Sequence, residues 1–501
     1  MADRHIIVID AGSSRARCFV LDQNADVVSS RSAEWRHAQV DDASPYAREF
    51  DSDWLWRTMC GLLSDALGDA NVPPRSIAAV TATSQRQGVV FLDGDGREVY
   101  AGPNLDLRAV FEGGAIDEEM RDRVYATTGH TPSLFFAPAK MRWFQEHRAE
   151  AFGRVASVVT LADWLVWKLS GQLACEPALA GEAGLLDVPE RRWCTALLAD
   201  LGLPDNEHVP LVDAGTLAGR VTRSVAREPA LPEGTLVAVA GPDTQCGLLG
   251  MGAVSVGQVG VVAGWSAPAL MVTDRPVLPA AMQTWAGCHV LNDLWTLEST
   301  SGDAGNAYRW LADTLWGGAK DAYHEMDAEA GRAPAGSEGA MAFLGPSPMD
   351  MGRVGMRQGG LLFPVPLTFS DLGRGHLARS ALEALAFSTR ANLERLERVA
   401  GASARSVAVG GGMVQTATWV NVLANVVGRE IAVSPSPHVS ALGAYVCAAT
   451  ALGELESLEQ GAAVMAERLN TVEPEAGARL EYQDHYERWT QLLDELEGMS
   501  I

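Results

Sequence analysis

The chain has 501 residues, a net charge of -24, an apolar fraction of 47% and a mean hydropathy near zero, which fits two domains of roughly 250 residues better than one core. No uninterrupted apolar stretch approaches the roughly 20 residues of a membrane span, and Met1-Ala2-Asp3-Arg4-His5 leads into a strand without a signal-peptide core. The acidic balance excludes a general nucleic-acid surface, which needs clustered Lys and Arg, so the expectation is a cytoplasmic protein with no nucleic-acid or membrane partner.

In chain order, Ile6-Ile7-Val8-Ile9 predicts a strand, Asp10-Ala11-Gly12-Ser13-Ser14 a tight turn, and Arg17 to Asp22 a returning strand. Gly12 with Ser13 and Ser14 lets backbone N–H groups approach an anion, and Asp10 can hold a cation or a water beside it. An ordinary polar hairpin is the alternative. The turn lacks Gly-x-Gly-x-x-Gly and Gly-Lys-Ser/Thr, which removes the dinucleotide fold and the P-loop. Asp51-Ser52-Asp53 caps a helix carrying Leu55, Met59, Leu62, Leu63 and Ala66 at helical spacing, ending before Pro73-Pro74. Ile77 to Ala82 then predicts a strand running into Thr83-Ser84-Gln85-Arg86-Gln87-Gly88. Arg86 and Gln87 offer fixed donors and acceptors for a polyol, or simply face water. Val89 to Leu92 with Asp93-Gly94-Asp95-Gly96 predicts a hairpin. In Asn104-Leu105-Asp106-Leu107-Arg108, Asp106 and Arg108 share one side if extended, and could hold a sugar or each other. Leu161 to Leu169 reads as a buried helix whose tryptophans are core.

Leu236 to Ala240 reads as a strand buried on both faces, followed by Gly241-Pro242-Asp243-Thr244-Gln245. In open α/β sheets the chemistry sits just past the carboxyl ends of such strands. Asp243 stands there, although Asp also forms turns and caps helices. Gly247-Leu248-Leu249-Gly250-Met251-Gly252 reads as a turn, and Val259 to Ser266 repeats the strand-plus-glycine pattern of the N-terminus. The echo predicts related domains over 1–250 and 251–501, each offering a glycine-rich hairpin to one cleft that would grip a polyphosphate from both sides. Ser380 to Leu396 predicts a helix with Leu382, Leu385, Thr389, Leu393 and Leu396 on one face. The strand Ser406 to Val409 ends in Gly410-Gly411-Gly412, where a base or ribose, or tight packing, needs close approach. Ser440-Ala441-Leu442-Gly443-Ala444 opens a small-residue helix suited to close packing. The seven cysteines are scattered without a Cys-x-x-Cys pair and predict reduced buried thiols, Cys246 among them, rather than zinc or disulfides.

In order and spacing, the Asp10 turn, Ser84-Gln85-Arg86-Gln87, Asn104 to Arg108, Gly241-Pro242-Asp243, the Gly264 loop, Gly410-Gly411-Gly412 with Trp419, and the Ala441-Leu442-Gly443-Ala444 helix resemble the FGGY carbohydrate kinases. Ala33-Glu34-Trp35-Arg36-His37, Glu49-Phe50-Asp51 and Glu176-Pro177 before Gly184-Leu185-Leu186-Asp187 look most like the autoinducer-2 kinase branch, with the xylulose and ribulose kinases as neighbours. The resemblance implies an α/β chain of two duplicated actin-like and Hsp70-like ATPase (ribonuclease H-like) domains around a central cleft. It implies Asp243 as the general base taking the sugar hydroxyl proton while that oxygen attacks the γ-phosphate of ATP, with Mg2+ bridging phosphates. Asp10 and Asp243 would serve the metal. Gly12, Ser13, Ser14, Gly264 and Ser266 would cradle phosphates, and Gly410, Gly411 and Gly412 would border the adenosine. Arg86, Gln87, Asp106, Asp243 and Thr244 would line the sugar site. The partners implied are a small sugar and ATP, with the oligomeric state open and a homodimer among the alternatives. There are departures: Trp265 stands where the family carries Thr, His438 where it carries Glu, Gln87 where a sugar-contacting Glu is expected, and no GERxP-like stretch occurs near Phe363-Pro364-Val365-Pro366. Trp265 and His438 motivate the rival reading, a catalytically weakened sugar-binding or regulatory protein on the same fold.

Overall fold

The computed structural model describes residues 4–38, 45–228, 231–317, 321–352 and 358–498. Its backbone forms two units, one of Met1–Val254, Thr273–Thr296 and Ser440–Ala466, the other of Ser255–Val272, Leu297–Val439 and Glu467–Ile501. The expected cut at 250/251 divides the chain once; the units are discontinuous, because two segments of the C-terminal half fold with the first.

In the first unit the strands Leu217–Arg220, Leu236–Val239, Ile77–Ser84, His5–Ala11, Arg15–Asp22 and Val27–Glu34 lie side by side in that order. His5–Ala11 runs antiparallel to Arg15–Asp22 and parallel to Ile77–Ser84, which is parallel to Leu236–Val239. His5–Ala11 is buried throughout, as a strand covered on both faces must be. Its period of two splits the core: Ile7 and Ile9 join Leu55, Met59 and Leu63 of the helix Ser52–Ala70, while Ile6 and Val8 join Ala441, Leu442 and Ala444 of the helix Val439–Ala451. Asp51 caps the first helix, its side chain accepting from the Trp54 N–H.

The second unit repeats the pattern. Its strands follow as Trp295–Asp303, Ser266–Thr273, Gln258–Val262, Ser406–Gly410, Ile431–Val433 and Asn470–Val472. Gln258–Val262 is antiparallel to Ser266–Thr273 and parallel to Ser406–Gly410, which is parallel to Ile431–Val433. Each unit therefore has a hairpin whose first strand pairs in parallel with strands that arrive later in the chain. The predicted helix over 380–396 extends to Arg374–Ala400.

The stretch Gly247 to Gly252 departs from its expected turn, since Asp243–Gly250 is a helix. The turn is confined to Met251 and Gly252, the latter with φ +70 and a Cβ position 2.5 Å from the Ala466 side chain. Packing overrides the low helix propensity of glycine here, because this helix lies against Gly443, whose missing Cβ would stand 1.8 Å from the Cys246 carbonyl oxygen. All seven cysteines are free and buried. Among the described residues no helix is long and apolar enough to cross a membrane.

Candidate active site

Strand register assembles the first unit's chemistry. Asp10 pairs with Thr83 and Ala11 with Ser84, while Val239 pairs with Ala82. Three parallel strands thus end at one sheet edge, where the first carries Asp10 near its end and the segments leaving the other two carry Arg86 with Gln87, and Asp243 with Thr244.

Asp10 is 4% exposed, with the Arg17 Nε 3.5 Å from its Oδ2. Burial raises its pKa and Arg17 partly offsets this. Its Oδ1 has no hydrogen-bond partner; an orphaned buried carboxylate oxygen beside an open turn fits a cation or a cation's water. Gly12 is locked by its carbonyl, which accepts from Trp35 Nε1 at 2.6 Å and Gln85 Nε2 at 3.2 Å. Ser13 Oγ accepts from Asn104 Nδ2 at 2.9 Å, and Ser13 and Ser14 are both partly exposed. Trp35 thereby gains a purpose that its sequence context did not show.

Asp243 opens its helix directly after Pro242. Burial pushes its carboxyl up to about 7; Arg86 pulls down, while the charges of Asp10 and Glu182 push up. A carboxylate poised there exchanges protons near neutral pH. Around it lies a buried polar cluster centred on Glu182. Arg86 Nη1 is 3.3 Å from Glu182 Oε2, Gln87 Nε2 is 3.5 Å from that oxygen, and His130 Nε2 is 3.6 Å from it. Gln245 Nε2 donates to Glu182 Oε1 at 2.7 Å, and Thr244 Oγ1 donates to Gln245 Oε1 at 2.5 Å. Burial opposes the charge of Glu182, but Arg86, His130 and Gln245 outweigh it and hold the carboxyl below its usual range. Trp285 closes the cluster, with the Arg86 guanidinium 5.8 Å from its ring and the His130 ring 5.4 Å away.

Sequence reasoning missed Glu182, His130, Gln245 and Trp285 as members of this cluster. One signal was available: Glu182 is a lone charge in the apolar run from Pro177 to Leu186, and buried charges are rare without a partner. The carboxylate absent at position 87 is thus supplied to the Gln87 amide by Glu182.

Asp106 is wholly buried. Its Oδ2 accepts from the Tyr100 hydroxyl and from Arg108 Nε at 2.7 Å, and its Oδ1 accepts from the Arg48 N–H at 2.9 Å. Arg108 in turn lies over the rings of Tyr100, Trp143 and Phe144. Of the two roles open to this pair, the geometry has them holding each other, so Asp106 shows no open face to a ligand. Lys140, also wholly buried, donates to the carbonyls of Gln87 at 3.0 Å and Pro103 at 3.4 Å. It fixes the Gln87 backbone, which sits at φ +61.

In the second unit, the loop after Gln258–Val262 is clasped by its neighbours. The Ala263 N–H donates to the Gly410 carbonyl at 2.8 Å, the Met413 N–H to Ala263 at 3.0 Å, and the Gly305 N–H to Gly264 at 3.1 Å. Gly411 sits at φ +95, where a Cβ would lie 2.5 Å from the Ala263 carbonyl oxygen, whereas Gly412 has open space where a Cβ would point. The two glycines therefore differ: Gly411 answers to packing, and Gly412 has room for a ligand. Trp265 is partly exposed, with the Arg309 guanidinium 5.7 Å from its ring, and Ser266 starts the next strand. The His438 N–H donates to Ser436 Oγ at 3.2 Å.

The N-terminal domain model of the FGGY family of carbohydrate kinases matches residues 5–250, and the C-terminal domain model matches 259–452. An autoinducer-2 kinase of Yersinia enterocolitica is 30% identical over 468 residues, 91% of this chain and 88% of that protein. One of Escherichia coli is 30% identical over 513 residues, 99% and 95% respectively. Among solved structures, a xylulose kinase from Rhodospirillum rubrum superposes with a TM-score of 0.82 at 22% identity, over 98% of this chain and 99% of that one. Plasmodium falciparum glycerol kinase with ADP gives 0.82 at 17% identity, over 100% and 99%. At these identities the structural likeness bears on the fold, a two-domain α/β architecture.

Proposed function

Since the chain belongs to the FGGY family of carbohydrate kinases, we propose that it transfers the γ-phosphate of ATP to a hydroxyl of a small linear or pentulose-like sugar, with Asp243 as the general base. The observation that supports this is that Asp243 opens the helix just after the strand Leu236–Val239, whose end shares a sheet edge with Asp10 and the segment carrying Arg86; burial there pushes its carboxyl up to about 7. Ionised, it accepts the hydroxyl proton as the sugar oxygen attacks the γ-phosphorus and the bond to the bridging oxygen of ADP breaks.

Arg86, Gln87 and Thr244 hold the sugar hydroxyls in this reading, while Asp106 is engaged by Arg108 and the Arg48 backbone. In this reading the Gly12-Ser13-Ser14 turn and the Gly264 loop with Ser266 are each phosphate-binding segments, and Gly410, Gly411 and Gly412 form an adenosine-binding one. Mg2+ supplies charge neutralisation across the phosphates when bound, and Asp10, with its orphaned Oδ1, and Asp243 would hold it and its waters. The relatives' name points to an autoinducer-2-like sugar, and xylulose or ribulose is the same-fold alternative. A cytoplasmic location follows from the need for ATP.

The test is ADP release from ATP and Mg2+ with a panel of linear sugars and pentuloses. Stimulation by at least one of them is expected. If none raises ADP release above background, the kinase reading fails and a sugar-binding protein on the same fold replaces it.

A further inference from the structure

Glu182 carries a charge that no step of the proposed transfer uses. It ends the helix Pro177–Glu182, and its side chain is 2% exposed. Arg86, Gln87 and His130 meet one of its oxygens and Gln245 the other. Gly287 lies flat against it, since a Cβ there would come within 2.8 Å of Oε1. A carboxylate held from several elements cannot swing aside when a ligand arrives.

A free arginine binds carboxylate or phosphate through its paired N–H groups. Arg86 is already committed to a buried carboxylate and to the Trp285 face. A carboxylate on an incoming substrate would have to share Arg86 with Glu182, and Glu182 is close enough to Asp243 for its charge to act there. The ligand's charge would meet the fixed carboxylate of Glu182, and that of Asp243 once ionised, in a poorly screened place, whereas a hydroxyl meets no such penalty.

We propose that Glu182 is a specificity-determining residue that restricts the sugar site to uncharged polyhydroxy substrates and excludes sugar acids. The proposal rests on the reading of this cluster as the sugar site.

The test uses the full chain and matched ligands: D-xylulose and D-ribulose against D-xylonate and D-ribonate. Equilibrium binding is measured by calorimetry without nucleotide, and kcat/KM with ATP and Mg2+. The wild type should bind each neutral sugar about a hundredfold more tightly than its acid, the weight of one like-charge contact a few Å away at partial screening. Glu182→Gln should close most of that gap by improving pentonate binding, an effect that mere loosening of the fold would not give. A wild type that binds sugar and acid within about tenfold of each other, or binds neither, overturns the proposal. So does a Glu182→Gln variant with an unchanged ratio. Should that variant not fold, the wild-type ratio decides alone. Selective binding of neutral sugars without any phosphorylation would sink the kinase reading while leaving the role of Glu182 standing.

Discussion

Replacing Asp243 by Asn should abolish turnover and stabilise the protein above neutral pH. The carboxyl is shifted from 3.8 to about 7, first by burial and then by the charges of Asp10 and Glu182, against the pull of Arg86. A shift of about 3 units at about 1.36 kcal/mol each is about 4 kcal/mol, an upper bound for a partly exposed group. The sign follows from proton binding. Between about pH 4 and 7 the folded protein holds a proton on Asp243 that the unfolded chain has released. The group's stabilising contribution is therefore complete below pH 4, declines as pH rises through 7, and is absent above it. An uncharged Asn does not suffer that decline. Thermal unfolding of both proteins at pH 4.5 and pH 8 should give nearly equal midpoints at the lower pH and a variant several degrees more stable at the higher. The wild-type kcat/KM should rise with pH and level off near 7, and the variant should lose orders of magnitude while binding sugar almost normally. A midpoint difference that does not change between the two pH values would refute the buried-base reasoning, as would a variant less stable than wild type at pH 8.

Gly411→Ala should lower stability by about 3 kcal/mol in urea unfolding, because it adds a Cβ against the Ala263 carbonyl at a left-handed φ. Gly412→Ala has open space, so it should leave stability unchanged and raise KM for ATP; equal effects of the two would remove the distinction drawn between them. Gly443→Ala, driven against the Cys246 backbone, should cost at least about 3 kcal/mol and lower kcat by displacing the helix that starts at Asp243, whereas a normally active, stable variant would contradict the packing. Lys140→Met removes the donor to the Gln87 and Pro103 carbonyls and should raise sugar KM about tenfold at nearly constant kcat, a change of about 1.4 kcal/mol; a matching rise in ATP KM would deny it a role specific to the sugar side.

What the sequence makes legible is local. A fully apolar run such as Ile6 to Ile9 announces a buried strand, and the strand-end rule singles out Asp243, which the strand register then sets at the same sheet edge as Asp10 and the segment carrying Arg86. What it hides is decided by residues far along the chain. Glu182 reaches Arg86, Gln87 and Gln245 across separations of 96, 95 and 63 residues, and no local pattern reports such a meeting. The spacing of Asp106 and Arg108 correctly puts them on one side, yet the choice between sugar and mutual pairing is made by Tyr100, Trp143 and Phe144, which box the guanidinium.

The helix that begins at Asp243 shows the same division. Its glycines read as a turn because propensity is a property of the isolated segment. What makes it a helix is Gly443, nearly two hundred residues later, which lets the Cys246 backbone come to van der Waals contact. That contact seats the helix whose first residue is Asp243. Pairing of Leu236–Val239 with Ile77–Ser84 brings the chain to the right edge, but a strand end fixes only the position of a backbone. The seating of the helix that opens on the base depends on a small-residue helix that carries no chemistry of its own, so conservative enlargement at Gly443 should damage catalysis as directly as a change in the cluster itself.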